Sequence, residues 1–137
     1  MTSTAIAFAV GALLLYGGWA VAASVATRSL SPVNAVLLSY VASLVVVGGY
    51  AVSTRQPLAG ARIDVAFALA SGVMLAAGAV FFYTALGQGN VAVVSAISAL
   101  YFIIPVIAGV LYFDAVLSTT NLVGIALAVV AVVLISA

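Results

Sequence analysis

Few side chains in this sequence could do chemistry. Three arginines (Arg28, Arg55, Arg62) and two aspartates (Asp64, Asp114) make up its charged set, and histidine, cysteine, lysine and glutamate do not occur. Zinc and redox centres need imidazole or thiolate ligands, so no metal site and no cofactor is expected. A serine nucleophile would have no histidine to activate it, no cysteine is present to serve instead, and no lysine can form a Schiff base. Catalytic residues are therefore expected to be none, and the chain is not expected to be an enzyme. A net charge of +1 is also far too small for a nucleic-acid footprint.

What remains is hydrogen bonding and aromatic contact. The stretch around residue 100 carries Ser95, Ser98, Tyr101, Pro105 and Tyr112 at three- to four-residue steps or their multiples, which puts them on one helix face. Pro105 deletes a backbone hydrogen bond, bending such a helix and freeing the carbonyl of Tyr101. This face has two readings. Either its serines are small packing residues and the proline only shapes the helix, or it walls a polar cavity gated by the kink. Near the N-terminus, Tyr16-Gly17-Gly18-Trp19 sets two large amphipathic aromatics around flexible glycines. The single tryptophan is expected to line a cavity.

Other stripes are poorer in chemistry. Gly72, Ala76, Ala79 and Tyr83 share one face, as do Ala35, Ser39 and Ala42 with Gly49 further along. Small residues at this spacing favour close helix approach, whereas Tyr83 suits either an interfacial anchor or a cavity wall. Gly124, Ala128 and Ala131 form a small-residue face among aliphatic neighbours, read as a contact between subunits.

The elements that position these residues follow from solvent preference. Of the 137 residues, 68% are hydrophobic and only 4% charged, against roughly 25% charged in soluble domains. A chain this short cannot hide that much apolar surface from water. Lipid must surround it. A bilayer core about 30 Å thick needs roughly 20 apolar residues per helix, and the charges and turn residues cut the sequence to that measure. Helices are expected at about 5–26, 32–52, 62–86, 91–113 and 119–137. Ser31-Pro32 reads as a cap followed by a first-turn proline. Residues 53–61 read as a loop, Gly87 as a helix-ending glycine, and Asn90 and Ser118 as caps. Asp114 reads as a helix breaker. Every charge then falls at a boundary, where it reaches water instead of costing about 2.5–3.5 kcal/mol at mid-membrane. The first segment lacks a basic leader region and outruns a signal's apolar core, so it is read as a membrane helix. The arginines barely bias orientation, which allows insertion both ways round.

The segment from Tyr83 to Ser136, YTALGQGNVAVVSAISALYFIIPVIAGVLYFDAVLSTTNLVGIALAVVAVVLIS, resembles the second half of an EamA domain, the repeat unit of the drug/metabolite transporter superfamily. Tyr83, Ala85, Leu86, Tyr101, Pro105, Leu117, Ser118 and Gly124 follow that repeat's order, and Trp19 with Leu30-Ser31-Pro32 fits its first half. The likeness covers essentially the whole chain, which is similar to the single-repeat, five-helix bacterial and archaeal transporters of that superfamily. It implies an all-α membrane protein, a half-transporter of five transmembrane helices forming one domain over residues 1–137. It also implies export or exchange of small metabolites or drugs. Most relatives join two such inverted repeats around a central cavity, so one repeat needs a partner. Three departures stand out. Ser24 replaces a lysine that often follows the first-helix tryptophan, Ala115 and Val116 replace a Glu-Arg pair, and Asp114 sits one residue off register. No carboxylate lies in the first helix, so proton antiport through a mid-membrane acid is not expected.

Together these readings describe a multi-pass transporter of the cell (inner or cytoplasmic) membrane. It would work by alternating access as an antiparallel homodimer of dual topology, around a cavity between the first, third and fourth helices. Tyr16, Trp19, Tyr83, Ser95, Ser98 and Tyr101 are the expected solute contacts, Pro105 the gating kink, and Gly124, Ala128 and Ala131 the dimer contact. Partners are the bilayer, a small organic solute, and a second copy or a separate five-helix chain of opposite topology. A non-transporting subunit, assisting assembly or a lipid-linked flippase, is the alternative.

Overall fold

The computed structural model describes residues 2–55, 57 and 59–136. These residues form helices α1 (Ser3–Ala26), α2 (Pro32–Thr54), α3 (Arg62–Gln88), α4 (Val91–Ala99), α5 (Ile103–Tyr112) and α6 (Thr119–Ser136), with a 3₁₀ turn at Leu100–Phe102 between α4 and α5. The stretch Val91–Tyr112 acts as one span, so five helices are long and apolar enough to cross a membrane. Among the described residues there is no strand. Gln56 and Leu58 of the expected loop, and Ala137 at the end of the expected fifth helix, lie outside the described residues.

Side chains close the helix ends where the sequence supplies short polar groups. Thr2 Oγ1 accepts from the Ala5 amide at 3.3 Å, and Ser31 Oγ accepts from Asn34 at 3.3 Å with Pro32 opening α2. Asn90 Oδ1 accepts from the Ala92 amide at 2.8 Å. Ser118 and Asn121 cap α6 reciprocally, Ser118 Oγ accepting from the Asn121 amide at 3.2 Å and Asn121 Oδ1 from the Ser118 amide at 3.1 Å.

Two ends reverse through non-glycine residues in the left-handed region: Arg55 (φ 50°) after α2 and Asp114 (φ 50°) after α5. The Gly109 carbonyl accepts from both Phe113 (3.1 Å) and Ala115 (3.0 Å), locking the second reversal. Gly87 is a correction to the sequence reading. It lies inside α3, which continues to Gln88, and no described glycine has positive φ. Asn90 caps α4 directly, so the connection needs no left-handed glycine.

The chain divides into two compact units, Met1–Gln88 and Gly89–Ala137. In the first, α3 packs against both α1 and α2. Its buried side chains are mostly small: Ala23, Ala35, Val36 and Ala79, joined by Tyr83 and Leu86. Alanines supply the close approach, while a side chain at Gly72 or Gly49 would meet only open space. In the second unit α6 packs against α4 and the 3₁₀ turn, half-burying Ile125, Ala128, Val129 and Val132 at helical spacing. Large apolar side chains such as Phe8, Leu44, Phe81 and Leu134 are exposed. In water that surface would be prohibitive; against acyl chains it costs nothing.

Several hydroxyls within the spans bond back to their own helix. Ser43 donates to the Ser39 carbonyl (2.9 Å), Ser71 to Ala68 (2.8 Å) and Thr84 to Val80 (2.7 Å). These groups are satisfied without water, as lipid demands.

Candidate functional site: an aromatic cavity within the first unit

A cavity of about 320 Å³ opens among α1, α2 and α3. Its walls follow from the register of each helix. From α1 come Leu15, Tyr16 and Trp19; from α2, Val36, Ser39, Tyr40 and Ser43; from α3, Leu75, Ala79 and Tyr83. The α2 set recurs at i, i+3, i+4 and i+7, so one helix face delivers it. None of the lining residues is charged.

Aromatic rings set the shape of this site. Trp19 stacks on Phe82 with ring centroids 5.1 Å apart and an interplanar angle of 18°. It meets Tyr83 at 5.7 Å and 53°, and Phe82 and Tyr83 are themselves edge to face at 6.4 Å and 71°. Offset and edge contacts at these separations are the arrangements the ring quadrupoles favour. Tyr83 is 3% exposed, so it is a packed wall and not an interfacial anchor; Trp19, at 37%, keeps part of its surface free.

The cavity's polar equipment is unevenly used. The Ser43 hydroxyl is committed to the Ser39 carbonyl. The Tyr40 hydroxyl is buried and has no hydrogen-bond partner among the described residues. A buried hydroxyl without a partner costs about 1–3 kcal/mol, more where no water can reach it.

Of the solute contacts expected from sequence, the fold brings Tyr16, Trp19 and Tyr83 to this cavity. Ser95, Ser98 and Tyr101 belong to the second unit and are not part of its lining. Ser95 on α4 is half-buried, Ser98 and Tyr101 are exposed, and Tyr101 stands in the 3₁₀ turn. Pro105 lies in the first turn of α5, just beyond that turn. A proline ring clashes with the carbonyl four residues back, here Tyr101, and the tighter winding at residues 100–102 is where the span accommodates it. The sequence reading missed Tyr40 and Ser43 and took Ser39 as packing. The 36-39-40-43 spacing was the available signal, masked because apolar residues dominate the other faces of α2 and Val36 itself is one of the four.

Five apolar spans with charges only at their ends, and a charge-free cavity enclosed by three of them, define a multi-pass helical membrane protein. A model of the EamA-like transporter family matches residues 3–137, the full length of these spans. The chain belongs to that family. No curated protein and no solved structure matches it.

Proposed function

We propose that this protein carries small organic solutes across the cell membrane by alternating access, as an antiparallel dimer in which each chain supplies one repeat. The observation that carries the reading is the cavity: Tyr16, Trp19 and Tyr83 on α1 and α3 face hydroxyl-bearing α2 across a space with no charged wall. Its size sits at the low end of the roughly 300–1,000 Å³ typical of small-molecule pockets, which suits a compact metabolite or drug. Family membership supports the transporter class.

Two further features fit the mechanism. The 3₁₀ turn before Pro105 interrupts the fourth span in mid-course, and such interruptions act as hinges. Bending there is the proposed gating motion, with Ser95, Ser98 and Tyr101 offering polar contacts to solute passage in the second unit. On α6, Gly124 and Ala131 stay uncovered while Ala128 is half-buried, leaving small residues free to meet another chain. The single repeat and the near-balanced arginines favour two copies of opposite orientation.

Purified protein in liposomes tests this. Influx or efflux of some member of a broad metabolite panel is expected, and Trp19→Ala should reduce it while the protein still unfolds cooperatively in detergent. A panel in which nothing moves above protein-free liposomes would reject transport.

A further inference from the structure

We infer that the Tyr40 hydroxyl is the solute-recognising group of this cavity, and that the solute is an uncharged molecule with an apolar body and one hydrogen-bond acceptor. The inference rests on the transport reading for its biological sense, but binding alone tests it. Within the lipid-embedded spans, Ser43, Ser71 and Thr84 return their hydroxyl protons to carbonyls of their own helices. Tyr40 cannot, because its phenol stands too far from its own backbone to bond back to the preceding turn. Its ring forms part of the cavity wall, and its buried hydroxyl meets no acceptor. Tyr16, Ser39 and Tyr83 also bring hydroxyls to the lining, but among the described residues the empty state leaves only the Tyr40 donor both buried and unspent. A solute bringing an acceptor relieves that penalty as the wall opens to admit it; a purely apolar solute does not.

Charge is excluded by the same lining. Tyr16, Trp19, Ser39 and Tyr83 offer no counter-ion, and all the arginines and aspartates stand at helix ends or in links. An ion or zwitterion entering would lose hydration without a counter-ion to replace it, and the ring faces would return a cation only about 0.5–2 kcal/mol.

Trp19 is the only tryptophan and lines the cavity, so its emission reports occupancy without a label. Full-length protein in nanodiscs is titrated with four compounds of matched size that do not absorb in the tryptophan band: cyclohexanecarboxamide, cyclohexanecarboxylate, cyclohexylmethylammonium and methylcyclohexane. Saturable change is expected with the carboxamide and not with either ion. Tyr40→Phe should weaken carboxamide binding about five- to tenfold, the worth of one neutral hydrogen bond, and leave methylcyclohexane unchanged. Because the lost hydroxyl had no protein partner, the same variant should unfold at the same or a higher temperature when empty.

Equal binding of carboxamide by Tyr40→Phe, tighter binding of either ion, or no saturable change at all would overturn the assignment. So would a lowered unfolding temperature, which would mean the hydroxyl has a structural partner. Selective carboxamide binding without flux in liposomes would sustain Tyr40 and reject the transport reading; flux without that selectivity would do the reverse.

Discussion

Trp19 lies nearly flat on Phe82, 5.1 Å between centroids and 18° between planes, while the next residue of α3, Tyr83, meets the same indole at a tilt of 53°. Successive helix positions diverge by about 100°, so the indole reaches both only by lying across the flank of α3. One indole face is thereby spent on holding α1 to α3, and the ring edges remain to shape the cavity. The tryptophan has two separable jobs.

That separation can be measured. Phe82→Ala removes the stack and should cost about 1 kcal/mol of stability, seen as a lower unfolding temperature in detergent together with a shifted Trp19 emission. Trp19→Phe keeps a ring on Phe82 and should lose less than Trp19→Ala. An emission spectrum unmoved by Phe82→Ala would mean that Trp19 and Phe82 do not stack in the folded protein.

The fourth span makes a second case. Pro105 has no N–H to give the Tyr101 carbonyl, and the chain winds as a 3₁₀ turn at residues 100–102. Pro105→Ala restores the donor and should turn α4 and α5 into one continuous α-helix. Stability should hold or rise, by up to about 1 kcal/mol given the usual cost of an interior proline offset by the bent surroundings. Amides from Phe102 to Gly109 should exchange hydrogen more slowly. Solute flux should fall, since the proposed hinge is gone. Faster exchange there would assign the turn to some other cause than the proline.

Much of this fold was legible in the sequence, for a physical reason: in lipid, charges and caps can sit only at the ends of spans, so they mark the boundaries. Ser31-Pro32, Asn90 and Ser118 do what short polar side chains before apolar runs do. Gly87 misled because glycine ends many helices but also continues one when a neighbouring residue supplies the next cap. The site was half legible. Trp19 and Tyr16 stood out as large amphipathic residues away from the expected interfaces, but α2 hid its contribution. When nearly every helix face is apolar, periodicity no longer separates the face turned to protein from the face turned to lipid, and nothing in the pattern singles out Tyr40.

Asp114 supplies the third prediction. It holds φ 50° between α5 and α6, a conformation that costs most side chains about 1 kcal/mol or more. Asp114→Gly should unfold at the same or a slightly higher temperature, Asp114→Asn should be near neutral, and Asp114→Val should lose about 1–2 kcal/mol. The glycine and asparagine variants also remove one of only two carboxylates in the chain. Flux in them should retain its wild-type pH dependence, because no step is assigned to that acid. A flattened pH profile in both would place Asp114 in ion coupling.

The last prediction concerns orientation. Arg28 follows α1, whereas Arg55 and Arg62 lie at the opposite end of the bundle, joined to α2 and α3. With charges on both sides, the orientation preference amounts to about one arginine, a weak bias. Terminal reporter fusions should therefore show each terminus on both sides of the membrane. Adding two lysines to the α1–α2 link, or instead to the α2–α3 link, should commit each variant to one orientation, and the two variants should be opposite. If the working unit is an antiparallel pair of identical chains, each fixed variant alone should lose flux by an order of magnitude or more while still inserting and folding. Co-expression of the two should restore it, because each then meets a partner facing the other way. Full flux from either variant alone would exclude the antiparallel homodimer, since all its chains would face the same way.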